Sequence, residues 1–155
     1  MQGLFAIFTL IFLALPVTAQ SWQGICTTVT DGDTIHVTPL DSPTPVKIRL
    51  WGIDAPERSQ PHGPQATRAL TKLLLNKRVT VTPVDRDRYG RTVAKISTGR
   101  TSAALYMLNR GHAWHAPKYA PDATKYAAAQ QKARTKKRGL WAAPAPTEPW
   151  LYRKK

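Results

Sequence analysis

Val46-Lys47-Ile48-Arg49-Leu50-Trp51 runs directly into Gly52-Ile53-Asp54-Ala55-Pro56-Glu57, and this stretch decides how the rest of the chain is read. Val46, Ile48 and Leu50 alternate with Lys47, Arg49 and Trp51, the period of two expected of a strand with one buried face. Arg49 is therefore expected to project away from the apolar stripe. The same strand brings two carboxylates, Asp54 and Glu57, to its exit, and Pro56 restricts how the chain leaves it.

Working outward, Gly24 to Val29 and Thr34 to Thr38 read as two earlier strands, with turns at Asp31-Gly32 and across Asp41 to Pro45. A helix is expected from about Gln65 to Leu75, because Ala66, Ala69, Leu70, Leu73 and Leu74 recur with helical spacing. Strands return at Arg78 to Val84 and Arg91 to Ser97, flanking the polar loop Asp85 to Gly90. Ser102 to Arg110, closed by Gly111, and Ala123 to Arg138, closed by Gly139, read as two more helices. The expected fold is mainly β with helices: a five-stranded OB-type barrel with three packed α-helices.

At 155 residues with 42% apolar content the chain fits one cored domain. Its net charge of +14 points to a polyanionic partner: nucleic acid, an anionic surface or acidic glycans. Leu4 to Leu15 is nearly all apolar, too short for a membrane span, and ends in the small residues Thr18 and Ala19. Although Met1, Gln2 and Gly3 carry no positive side chain, residues 1–19 are read as a signal peptide cleaved after Ala19, against an uncleaved anchor or a missing true start. The protein is expected to be secreted or periplasmic with no stable membrane insertion after leader removal. The domain then covers 20–141, and 142–155 is a Pro-rich basic tail. In that tail Trp150 and Tyr152 are expected to fold back, with Arg153, Lys154 and Lys155 solvated. Cys26 is the single cysteine, which excludes an internal disulfide, and it reads as a packed strand thiol.

Six of the nine acids fall in three pairs: Asp31 and Asp33, Asp54 and Glu57, Asp85 and Asp87. Carboxylates held this close repel one another unless a cation or a basic partner offsets them. Asp31-Gly32-Asp33-Thr34 reads either as carboxylates fixed at a barrel rim or as an ordinary hairpin turn. Arg49 with Asp54 and Glu57 reads either as a site or as a surface ion pair. Asp87-Arg88-Tyr89-Gly90-Arg91 reads either as a phosphate grip with a stacking ring or as a charged hairpin loop. Taken together, the three segments hold the residue types phosphodiester hydrolysis requires: anionic ligands for a cation, a base for water, and donors where charge develops. His112 and His115 are spaced as His-x-x-His with no carboxylate or cysteine nearby to complete a zinc site, so His115 is read as packing or a groove contact. His36 is placed on an exposed strand face and His62 in the loop Ser59 to Pro64.

These three segments, in this order from about Gly24 to Trp141, resemble the staphylococcal nuclease family. Gly139-Leu140-Trp141 and Pro149-Trp150 are similar to secreted bacterial members. The resemblance implies a calcium-dependent endonuclease or exonuclease acting on DNA and RNA as a monomer. It implies that Asp33, Asp54 and the Ala55 carbonyl are Ca2+ ligands, with Asp31 orienting what the ion holds. It makes Glu57 the general base, Arg49 and Arg91 the phosphate-binding pair, and Arg88, Tyr89 and Tyr119 substrate contacts. Departures lie at Ala55 and Arg88, where the best-known member has threonine and lysine, and after Gly111. There Trp114, His115, Pro117 and Tyr119 stand where two stacking tyrosines occur, which leaves base preference open. The alternative is a non-catalytic nucleic-acid-binding OB-type module; the retention of Asp33, Asp54, Glu57, Arg49 and Arg91 favours the enzyme.

Overall fold

The computed structural model describes residues 20–154, so the expected leader lies outside the described residues. In chain order the elements are β1 (Trp22–Val29), β2 (Thr34–Pro39), β3 (Val46–Leu50), β4 (Ile53–Asp54), α1 (Gly63–Leu74), β5 (Arg78–Arg86) and β6 (Thr92–Thr98). There follow β7 (Thr101–Ser102), α2 (Ala103–Asn109), β8 (Trp114–His115), α3 (Thr124–Thr135), a 3-10 helix (Gly139–Ala142) and α4 (Pro149–Tyr152).

β3, β2, β1, β5 and β6 are neighbours in that order, and β6 returns to pair with β3 in parallel, so the five long strands close into a mixed barrel. Closure leaves none of the five with a free edge, and it follows from the alternation that marks them in the sequence. Ile35, Val37, Ile48, Leu50, Val79, Val81, Ala94 and Ile96 all turn inward and are buried, while Lys47 is exposed. Bulges between Cys26 and Thr28 in β1, and between Pro83 and Asp85 in β5, supply the bends that closure requires. Cys26 is buried, and burial pushes its thiol up to about 11, which suits packing rather than reactivity.

α1 covers the barrel with Ala66, Leu70 and Leu74 fully buried. It starts at Gly63, two residues before the expected Gln65, because Pro64 is well suited to the first helical turn. α2 is capped by Ser102, whose hydroxyl accepts from the Leu105 amide at 3.4 Å. α3 ends at Thr135 rather than Arg138, because Lys137 takes a left-handed φ of 48°. Among the described residues there are four α-helices, the three expected and the single turn α4 in the tail. Among the described residues no helix is long and apolar enough to cross a membrane.

Two features outside the barrel position the site. β4 and β8, two residues each, form their own antiparallel ladder with Ile53 opposite His115 and Asp54 opposite Trp114. Trp114 also belongs to a small second core with Ala133, Leu140 and Trp141; its ring lies 4.3 Å from that of Trp141 and 5.8 Å from that of Trp150. The tail is thereby drawn back onto the domain, as expected for Trp150.

Candidate active site

Asp33 stands at the entrance to β2, where the turn carrying it is closed by the Thr30 amide donating to the Thr34 carbonyl at 2.9 Å. Asp31 stabilises the turn from inside, its Oδ1 accepting from the Asp33 amide at 3.0 Å. Register places Thr34 opposite Arg49, and the Leu50 amide donates to the Asp33 carbonyl at 2.8 Å, so Asp33 is fixed against the end of β3. Its side chain accepts from the Ala55 amide at 2.7 Å and from the Thr34 hydroxyl at 3.1 Å, and forms an ion pair with Arg49 Nη1 at 2.9 Å. Asp33 is only 6% exposed. Burial pushes its carboxyl up to about 7, with Arg49 pulling down, Asp31 and Asp54 pushing up, and the Ala55 amide pulling down.

Asp54, also 6% exposed, is held by the β4–β8 ladder. Arg49 Nη2 reaches its Oδ1 at 3.0 Å, and Nη1 donates to the Ile53 carbonyl at 2.9 Å. A single guanidinium thus spans the Asp33 and Asp54 carboxylates, a use of the planar fork that a lysine could not reproduce. Arg49 does face away from the apolar stripe of β3, as its position in the alternation requires.

Glu57 follows in a tight turn, in which its amide donates to Gln60 Oε1 at 3.1 Å and the Gln60 amide donates to its carbonyl at 2.9 Å. Two glycines let the segments meet. A Cβ on Gly63 would overlap the Glu57 carbonyl, and one on Gly32 would stand 2.6 Å from the Ala55 Cβ and 2.9 Å from the Ala66 Cβ. The first turn of α1 and the Asp31–Asp33 turn therefore both pack directly against the segment carrying Asp54 and Glu57.

Arg153 is exposed, as expected, but its guanidinium is also paired with the corner. Arg153 Nη2 meets Asp54 Oδ2 at 2.7 Å, and Nη1 meets Glu57 Oε1 at 2.5 Å and Asp54 Oδ1 at 3.2 Å. The Asp54 hydrogen bond, against the cost of burial and with help from Glu57, raises the Arg153 pKa further above its ordinary value. The tail is pinned so that this contact forms: Gln60 Nε2 donates to the Thr147 carbonyl at 2.6 Å, and the Tyr152 hydroxyl donates to the Ser59 carbonyl at 3.2 Å. A basic tail residue carries no local pattern that says which carboxylate it reaches. The one sequence signal was Pro149-Trp150, which marks the return of the chain.

Arg88, Tyr89 and Arg91 form a separate group on the β5–β6 turn. Asp87 organises it: Oδ1 accepts from the Tyr89 and Arg91 amides at 2.9 and 3.0 Å, and Oδ2 accepts from Arg91 Nε at 2.6 Å. Burial pushes the Asp87 carboxyl up, but the hydrogen bonds from Arg91 and Tyr89 outweigh it and hold the group below its ordinary value. Arg88 Nη2 donates to the Tyr89 hydroxyl at 2.7 Å, and the Tyr89 ring is 69% exposed. Arg91 thus contacts Asp87 and lies 5.6 Å from the Tyr89 ring. It sits one residue before β6, which runs beside β3. Tyr119 is exposed on another loop, near Lys118. The structure therefore brings Asp31, Asp33, Arg49, Asp54, Ala55 and Glu57 into one corner, with Ala55 seen there through its amide.

The histidines are employed elsewhere. His115 is buried, with Nε2 on the Ala120 carbonyl at 3.0 Å, which is the packing role expected. His112 instead stacks on His62, with Nδ1 2.9 Å from His62 Nε2, a pairing across 50 residues that spacing does not reveal. His36 is half-buried rather than exposed, and its Nε2 has no partner.

Among the described residues no three His, Cys, Asp or Glu side chains gather into a metal cage. The corner nonetheless fits a hard cation bound at an open site. Its donors are carboxylate oxygens, two of its carboxylates are buried side by side, and both already share one cationic group in Arg49.

The family model of staphylococcal nuclease homologues matches residues 47–143. The chain belongs to that family. It is 38% identical over 145 residues to an uncharacterized endonuclease of Escherichia coli O157:H7, covering 93% of each chain. To an uncharacterized endonuclease of Haemophilus influenzae it is 36% identical over 126 residues, covering 81% of this chain and 70% of that one. To the probable staphylococcal-like nuclease CAN1 of Oryza sativa subsp. japonica it is 40% identical over 110 residues, 70% of this chain but 32% of that longer one. The corner of Asp33, Arg49, Asp54 and Glu57 is accordingly the candidate active site of a nuclease, a phosphodiester hydrolase.

Proposed function

We propose that the protein is a calcium-dependent nuclease that cuts both DNA and RNA by in-line attack of water on the phosphodiester, working as a monomer outside the cytoplasm. The observation that carries this reading is the Arg49 guanidinium lying between the buried Asp33 and Asp54 carboxylates, with Glu57 on the adjoining turn. Calcium would be held by Asp33, Asp54 and the Ala55 carbonyl, with Asp31 steadying Asp33, and would supply charge neutralisation at the phosphate. The residues of the chain do the rest. Arg49 offers its fork to the phosphate oxygens, where negative charge grows during displacement. Glu57, partly exposed beside the corner, accepts the proton of the attacking water. Arg91 exchanges Asp87 for the phosphate as the second guanidinium, while Arg88 and the exposed ring of Tyr89, together with Tyr119, hold the flanking nucleotide. The surplus of basic residues adds salt-dependent attraction to either polymer.

The test is digestion of single-stranded DNA, double-stranded DNA and RNA in a metal series, with Glu57→Gln alongside. Cleavage is expected with calcium and none after chelation, and Glu57→Gln is expected to lower kcat by roughly 10². Undiminished cleavage in chelator would overturn the cation requirement. Full activity in Glu57→Gln would remove the base assignment.

A further inference from the structure

The tail that carries Arg153 lies beyond residue 143, where the family match ends, and neither the barrel nor the β5–β6 turn needs it. Yet its guanidinium occupies both oxygens of Asp54 and one of Glu57, at 2.5 to 3.2 Å. With Arg153 in place the carboxylates of Asp33, Asp54 and Glu57 face two guanidiniums, which offset most of their charge. Without it Asp33 and Asp54 share only Arg49 among the described residues, and Glu57 loses its ion pair.

We propose that Arg153 is an internal counter-ion that competes with the divalent cation for Asp54 while it also holds Glu57, so that the C-terminal segment must withdraw for the site to load. This rests on the reading of Asp54 as a cation ligand. Geometry makes the contact specific: a two-pronged guanidinium on Asp54 with the same group reaching Glu57. The way the segment is attached makes it releasable. Its helix, α4, is a single turn, too short to be stable alone, and it is held by Trp150 against Trp114, Tyr152 on Ser59 and Thr147 on Gln60. The Arg153 side chain is 46% exposed, against 18% for Arg49, so solvent screens and weakens the outer pairing far more than the inner one. Arg49 is built into β3 and cannot leave, whereas Arg153 rides on a strap that can. Trp150 packs on Trp114, which lies opposite Asp54 in the β4–β8 ladder, so docking of the strap and the environment of Asp54 are mechanically linked.

Calcium alone, titrated calorimetrically into the substrate-free protein, tests this. Arg153→Gln is expected to bind calcium about tenfold more tightly than the wild type, a change of about 1.4 kcal/mol. Trp150→Ala, which loosens the strap without touching a carboxylate, is expected to shift affinity in the same direction by a smaller factor, with thermal melting confirming that both variants fold. Calcium should also change tryptophan fluorescence in the wild type as Trp150 leaves Trp114. Equal or weaker calcium affinity in Arg153→Gln, with measurable binding in both proteins, overturns the counter-ion role and leaves the cation site standing. A rise in KM for DNA in that variant at unchanged calcium affinity would overturn it in favour of a phosphate contact. No calcium binding by either protein overturns the cation reading and this inference with it.

Discussion

The carboxylate corner and the β5–β6 turn are made of the same residue types, aspartate and arginine, but are assembled by opposite means. In the corner, Asp33 meets Ala55 and Arg49, and Asp54 lies opposite Trp114, so each contact spans long stretches of chain and is closed by barrel strands. In the turn, the Asp87 side chain binds Tyr89 and Arg91, residues two and four places on, and the Tyr89 ring is exposed. The corner is thereby preorganised by the whole fold, as electrostatic catalysis requires, whereas the turn is a locally knotted element that can change partners without disturbing the barrel. Mutations should separate the two: in the corner, stability and activity fall together, while in the turn activity falls alone.

The largest effect is expected from Arg49→Ala. It leaves Asp33 and Asp54 buried without their shared cation, which should cost roughly 3 kcal/mol of stability. On the role proposed for Arg49 it also removes a phosphate donor, which should lower kcat by about 10²–10³. Arg49→Lys should recover part of the stability and little of the rate, because a point charge does not span both carboxylates. Urea unfolding and kinetics on one substrate give both numbers, and a rate loss without any stability loss would show that the corner is no better anchored than the turn.

Gly32→Ala comes next. The added Cβ meets the side chains of Ala55 and Ala66, so the Asp31–Asp33 turn must move away from the segment carrying Asp54. Overpacking of this kind costs about 1–3 kcal/mol, and a displacement near 1 Å at a catalytic group costs about 10² in rate. If the rate were preserved, the close approach at Gly32 would serve the fold only.

A smaller and purely functional effect is expected at the turn. Asp87→Ala removes the partner of Arg91 and both amide contacts, so KM should rise about tenfold, as for the loss of one charge-assisted contact. The melting temperature should barely move, because Asp87 stabilises only its own loop. A large drop in melting temperature would erase the distinction between the two regions.

The same contrast explains what was readable from sequence. The barrel was, because period-two alternation in Val46–Leu50 and its partner strands is local, and so was the position of Arg49 on the polar face. Taken singly, the segments of Asp33, Asp54 and Glu57 read equally as a site or as a turn and a surface ion pair, and it is the family resemblance that groups them. Only the β2–β3 register and the β4–β8 ladder bring them together, and a two-residue ladder has no periodicity to detect. Arg153 and the His62–His112 pair escaped for the same reason. Each is a contact between residues 50 or more apart that have no neighbours of like pattern. α3 was drawn too long because a lysine in the left-handed region, unlike a glycine, does not advertise a helix stop.

Acid should take the two regions apart in sequence, with the smallest effect of the set. His62 begins α1 next to Gly63, which packs on Glu57, so the His62–His112 stack supports the corner from behind. Burial, then the fields of His62 and Arg110, push His112 down to about 4 from 6.5. The folded protein thus keeps His112 neutral where the unfolded chain takes up a proton, so the stability that His112 contributes must fall as pH drops from 6.5 toward 4. Asp87, held below its ordinary value of 3.8, acts in the other window: its contribution is complete above 3.8 and is lost only as pH falls further. Asp33, raised to about 7, pulls the other way over this window in every variant, so the difference is what tells. The urea midpoint of the wild type relative to His112→Gln should decline between pH 7.5 and 4.5, with Asp87→Ala leaving the wild-type slope unchanged. A slope that His112→Gln does not alter would mean that the stacked pair is not what acid loosens, and that corner and turn share a common response to pH.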